Sequence, residues 1–182
     1  MTSRNSWLTT SQPHLQHLMN NQRRPISPAQ AMNRAAALCA RSEQAPSDIR
    51  TKLLKWGICG DDVHRILDNL IEQGFLDEQR FAVAFVKDKF AFNGWGRIKI
   101  VHQLRQKGIP SEVIENAITA IDEEAYRERL IELLRNKWSS VKGRDPRSAW
   151  AAMMRFAASR GFEPSLASDC VHQVAHIDVE DD

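Results

Sequence analysis

Three glycines, Gly57, Gly108 and Gly161, stand 51 and 53 residues apart, and the apolar residues around each of them follow one pattern. Eight residues before the glycine stands Ile49, Ile100 or Met153; four before, Leu53, Leu104 or Ala157; one after, Ile58, Ile109 or Phe162. The match continues as Val63, Val113 and Leu166, then Ile66, Ala117 and Cys170, then Leu70, Ile121 and Val174. Spacings of four and eight put side chains on one face of a helix, and a glycine just past the last of them suits the left-handed residue that ends such a helix. Agreement at apolar positions while polar positions differ is what repeated packing of one supersecondary unit requires. The chain therefore reads as three tandem copies in an elongated array. No alternating strand pattern of useful length occurs, so the fold class is all-α.

The copies divide the chain into a first three-helix repeat at 28–76, a second at 77–121 and a third at 122–177, with a polar arm at 1–27 and an acidic tail at 178–182. Their first helices are placed at about 28–42, 77–92 and 122–139 by apolar periodicity. The arm is rich in Ser, Thr, Asn, Gln and His and carries too few large apolar residues to bury a core, so it reads as mobile. Ser27 before Pro28 is a cap followed by proline at the first helical position. Periodicity points Ala31, Ala35, Leu38 and Cys39 inward on the first helix, Ile49, Leu53 and Leu54 on the second, and Phe81, Ala84, Phe85 and Phe92 along the helix that opens the middle unit.

Several function classes are excluded by what is missing. Cys39, Cys59 and Cys170 lie too far apart for a zinc knuckle or a CxxC pair, and read as reduced, buried thiols. His14 and His17 have helical spacing for a metal, but nothing nearby completes a site. The pairs Asp61-Asp62 and Asp77-Glu78 fall at helix starts, where the dipole favours acids, so they read as caps rather than catalytic carboxylates. With no glycine-rich phosphate loop and no nucleophile elbow, no enzyme and no cofactor are predicted. No apolar run is long enough to span a membrane and the first 25 residues lack the apolar core of a secretory signal, which points to the cytosol.

A formal net charge of +2 conceals segregation. In the middle unit Arg80, Lys87, Lys89, Arg97, Lys99, Arg105 and Lys107 stand against Asp88 alone once the opening acids are passed. Glu112, Glu115, Asp122, Glu123, Glu124 and Glu128 follow with only Arg127 among them. Cations on two successive helices can converge on one surface, the electrostatic footprint of a polyanion or of an acidic strip on a protein. Between those helices Gly94-Trp95-Gly96 permits a tight turn, and Trp95 is either the lid of the unit's core or an exposed plate for a partner.

The stretches LDEQRFAVAFV at 76–86 and GWGRIKIVHQLRQKGI at 94–109, with the weaker SDIRTKLLKWGI at 47–58 and VHRILDNLIEQGFLD at 63–77, resemble the RecX family of bacterial regulators of the RecA recombinase. One departure is Arg97, where many members carry proline after the GWG. The resemblance implies three tandem repeats, each like a helix-turn-helix, that bind the groove of the RecA-DNA filament and limit filament growth, ATP hydrolysis and strand exchange. It implies a RecA filament as main partner, DNA as a weaker electrostatic one, no membrane, and a monomer; the alternative is a stand-alone DNA-binding protein of helix-turn-helix-like units. In such a unit the second helix touches the polyanion, which favours Arg97, Lys99, Arg105 and Lys107 over Arg80, Lys87, Lys89 and Trp95. All four lie off the Ile100, Val101 and Leu104 stripe, so reversing their charge is expected to leave melting nearly unchanged.

Overall fold

The computed structural model describes residues 26–180, with side chains to residue 175, so the arm up to residue 25 and the last two residues lie outside the described part. Nine helices occur there and no strand: α1 (Pro28–Cys39), α2 (Pro46–Lys55), α3 (Asp61–Glu72), α4 (Glu78–Ala91), α5 (Arg97–Gln106), α6 (Ser111–Ile118), α7 (Glu123–Trp138), α8 (Pro146–Arg160) and α9 (Pro164–Glu180). Their starts follow local chemistry. Ser27 forms a reciprocal capping box with Gln30 before Pro28. The carboxylates of Asp77, Asp122 and Asp145 each accept the backbone N–H three residues on, opening α4, α7 and α8.

Helices pack in threes: α1 with α2 and α3, α4 with α5 and α6, α7 with α8 and α9, each trio also closing on itself between its last two members. One turn builds all three units. Gly57, Gly108 and Gly161 hold φ of +87°, +77° and +87°, and the next residue's N–H donates to the carbonyl five residues back, Ile58 to Leu53, Ile109 to Leu104 and Phe162 to Ala157. That closure turns Ile58, Ile109 and Phe162 into the core, where at most 5% of each is exposed.

Beyond the turn, the buried positions are six, nine and thirteen residues after the glycine in every unit: Val63, Ile66 and Leu70; Ile114, Ala117 and Ile121; Ala167, Cys170 and Val174. Ile114 and Ala167 thus replace Val113 and Leu166, which are only partly buried. Either residue keeps a helical spacing, and the approach of the neighbouring helix decides between them. For the same reason Leu54, placed inward by periodicity, is 55% exposed beside fully buried Leu53. On α4 the core takes Phe81, Ala82 and Val86, leaving Ala84 exposed, and Phe92 is 83% exposed because the helix ends at Ala91 and the period no longer carries past it.

The interior is divided unequally. The first unit keeps its own core around Ala31, Ile49, Leu53, Leu67 and Leu70. The second and third share one continuous core running from Phe81 through Leu104 and Tyr126 to Val174. Full burial of a side chain such as Leu104 contributes about 1.5–3 kcal/mol, so joining two small units in one core supplies stability neither would have alone.

Candidate interaction surface

The middle unit meets its neighbours along two seams, and most of its cations lie in them. At the first, Ala45 in the α1–α2 connection is wholly buried in the core of the second unit. Beside it Lys107 Nζ lies 2.7 Å from Asp48 Oδ2, and the Ser47 hydroxyl donates to the Lys107 carbonyl at 2.7 Å. Arg80 donates to Glu43 at 3.0 Å and to the Gly74 carbonyl at 2.9 Å. Its guanidinium is held in the charged form chiefly by that hydrogen bond to Glu43.

The second seam is backbone against backbone. Helix α5 begins where α8 ends: Gly96 N–H donates to the Arg160 carbonyl at 2.8 Å and Ile98 N–H to the Gly161 carbonyl at 3.0 Å. N–H groups that a helix start leaves without an intrahelical acceptor are thereby satisfied by carbonyls that a helix end leaves free. Between them Arg97 N–H donates to the Tyr126 hydroxyl, which donates to Glu163 Oε2, both at 2.8 Å. The Arg97 guanidinium grips Glu123 with two bonds of 2.7 and 3.1 Å and lies 4.2 Å from the centre of the Tyr126 ring. Burial pushes the Tyr126 phenol well above its ordinary range, the bond to Glu163 adds to this, and the Arg97 N–H opposes it. Lys99 Nζ reaches the Ser159 carbonyl at 3.2 Å, and Arg160 bonds back to the Asn93 carbonyl at 2.8 Å.

Of the eight residues singled out in the sequence, Arg80 and Lys107 therefore lie at the first seam and Arg97 and Lys99 at the second. Trp95 is half-buried against the shared core, with the Lys99 ammonium 4.8 Å and the Lys89 ammonium 5.9 Å from its ring centre. Lys89 also pairs with Asp88 at 2.8 Å. Lys87 and Arg105 are exposed and enter no ion pair among the described residues. Arg105 borders a shallow groove of about 390 Å³ lined also by Arg97, Ile98, Val101, His102 and Glu163.

This geometry corrects the melting expectation. Reversing Arg97 sets a new carboxylate against Glu123, so Arg97→Glu alone is expected to cost about 1 kcal/mol, a fall of about 2–4 °C in the melting midpoint by calorimetry. Arg105→Glu, with no ion pair to lose, is expected to leave the midpoint where it was.

The partners of Arg97 were invisible in the sequence because Glu123 and Tyr126 are 26 and 29 residues away. A second feature was visible and overlooked. The acidic run around residue 124 hid a basic stretch farther along the third unit, from Arg135 to Arg147. All three cysteines are free; Cys170 is buried, and burial pushes its thiol up, whereas Cys59 is exposed on the turn before α3, contrary to the buried thiols expected. Among the described residues no three His, Cys, Asp or Glu side chains gather as a metal site, and no helix is long and apolar enough to cross a membrane.

Among the described residues, nine helices in three like units, joined by seams that engage the middle unit on both sides, define a tandem three-helix protein. The family model described as the second three-helix domain of RecX matches residues 77–118, and that of the third matches residues 124–171. Regulatory protein RecX of Mycobacterium sp. (strain JLS) is 33% identical over 155 residues, covering 81% of this chain and 85% of its own. Regulatory protein RecX of Chromohalobacter salexigens is 34% identical over 129 residues, 71% of this chain and 82% of its own. The chain belongs to the RecX family of regulatory proteins. Its fold is also that of a crystal structure of RecX from Lactobacillus salivarius, with a TM-score of 0.72 at 16% identity, covering 81% of this chain and 96% of that one.

Proposed function

We propose that this protein regulates the RecA recombinase by binding rather than by catalysis, lying as a monomer along the groove of the RecA-DNA filament in the cytoplasm and limiting its growth, ATP hydrolysis and strand exchange. The observation that carries this reading is the relation of four-fifths of the chain to regulatory proteins of one family. The seams support it: a ligand groove on a helical filament is filled best by units held in fixed relation, because ordering loose units on binding costs affinity. In this reading Arg80, Arg97, Lys99 and Lys107 set the relation of the units. Lys87, Lys89, Trp95 and Arg105 are the middle-unit groups that meet the filament.

The test is ATP hydrolysis by RecA on single-stranded DNA. Substoichiometric amounts of the protein are expected to lower the rate, and Lys87→Glu with Arg105→Glu is expected to weaken that inhibition while keeping the parent's melting midpoint. Unchanged hydrolysis at a molar excess of the parent protein would overturn the reading.

A further inference from the structure

The middle unit holds the longest run of cations in the sequence, yet the structure neutralises or engages most of them in its seams. The third unit holds fewer acids than its first turn suggests. Between Leu133 and Ser148, Arg135, Lys137, Lys142, Arg144 and Arg147 stand against Asp145 alone. Arg135 and Lys137 occupy the last turn of α7, Lys142 and Arg144 the connection, and Arg147 the first turn of α8, so the fold gathers them at one end of the unit. The connection is a built turn. Lys142 and Val141 donate to the Trp138 carbonyl, Arg144 donates to the Val141 carbonyl, and Val141 is anchored in the core at 1% exposure. Arg135, Arg144 and Arg147 point into solvent and enter no ion pair among the described residues. The one acid is committed elsewhere, its carboxylate capping α8 through the Ser148 N–H at 3.0 Å. One turn along α8 from Arg147, Trp150 leaves 41% of its surface exposed.

We infer that this end of the third unit is a binding surface for single-stranded nucleic acid. Unpaired guanidinium groups suit phosphates spaced along a flexible backbone, and an indole beside them offers a face on which a base can stack. A surface for an acidic protein would need the cations but not the exposed indole, and the pairing of both favours the nucleic acid. The inference does not rest on the filament reading, since it concerns the protein and an oligonucleotide alone.

The experiment measures binding of the full chain to fluorescein-labelled oligothymidylate across a salt series. The parent is expected to bind with quenching of its tryptophan emission. Arg144→Glu with Arg147→Glu is expected to lose at least tenfold in affinity, and the slope of log affinity against log salt is expected to fall by about 1.4, at about 0.7 for each lost contact on a single strand. A glutamate near the start of α8 is favourable to the helix, and an unchanged circular dichroism melt checks that the fold persists; Arg135→Gln with Arg144→Gln gives the same reading without reversed charge. Trp150→Phe is expected to bind with much less quenching. Arg41→Glu with Lys55→Glu, both exposed on the first unit, is expected to keep the parent's slope. Parent-like affinity and slope in both arginine variants overturn the inference, as does a parent that fails to bind the oligonucleotide at low salt. If that failure comes with loss of RecA inhibition in the Arg144, Arg147 variant, the surface meets an acidic protein instead. Oligonucleotide binding that persists while RecA hydrolysis stays unaffected overturns the filament reading and leaves this one standing.

Discussion

Gly96→Ala is expected to destabilise the protein by about 1–3 kcal/mol through overpacking, although the φ of −80° and ψ of 166° at Gly96 are open to any residue. A methyl group there would lie 2.2 Å from the Gly161 carbonyl oxygen and 2.5 Å from the Phe162 nitrogen, and these are backbone atoms that cannot swing aside. Relief requires α5 to withdraw from α8, which gives up the Gly96 and Ile98 hydrogen bonds at about 0.5–1.5 kcal/mol each. Gly161→Ala meets the same seam from the other side, 2.3 Å from Lys99 Cβ, and adds left-handed strain of about 1–2 kcal/mol. Gly108→Ala is the control: its φ is also positive, at +77°, but nothing lies within 4 Å of the added carbon, so only the strain remains. Urea denaturation of the three variants separates the two causes. Equal losses for Gly108→Ala and Gly161→Ala would show that the close approach contributes nothing.

Tyr126→Ala is expected to cost more, about 3–5 kcal/mol. The ring is 1% exposed and packs 5.0 Å from Phe162 and 5.9 Å from Phe90, joining the second unit's helices to the third's. Tyr126→Phe keeps that packing and removes only the hydroxyl, leaving the Arg97 N–H and Glu163 without their shared partner. A loss of about 1–3 kcal/mol is expected from the unsatisfied N–H. The comparison divides the seam into its apolar and polar parts. If Phe at 126 is as stable as the parent in denaturant, the hydroxyl bridge contributes no net stability and water replaces it.

The repeat was legible because its chemistry is local. A glycine at positive φ, an apolar residue four and eight before it and another just after it are contained within ten residues of chain, and α5 of the middle unit shows all of them between Ile100 and Ile109. Helix starts were legible for the same reason, since Ser27, Asp77 and Asp122 satisfy N–H groups three residues away. The surface was less so. Arg97 reads in the sequence as one more cation off the apolar stripe, and only folding brings Glu123 and Tyr126 to it. Conversely, the cations at Arg135, Arg144 and Arg147 gain their interest only when those of the middle unit are found engaged.

By itself the sequence determined three helical units, their order, the turns that close them and the family to which they belong, because periodicity, caps and glycine conformation act over a few residues. Tertiary structure alone decided which face of α6 and α9 is buried, that the second and third units share one core while the first keeps its own, and which charges remain free. Those outcomes depend on groups brought together from 26 to 67 residues apart. No local pattern encodes such pairs, and their energies arise only when the chain has closed around them.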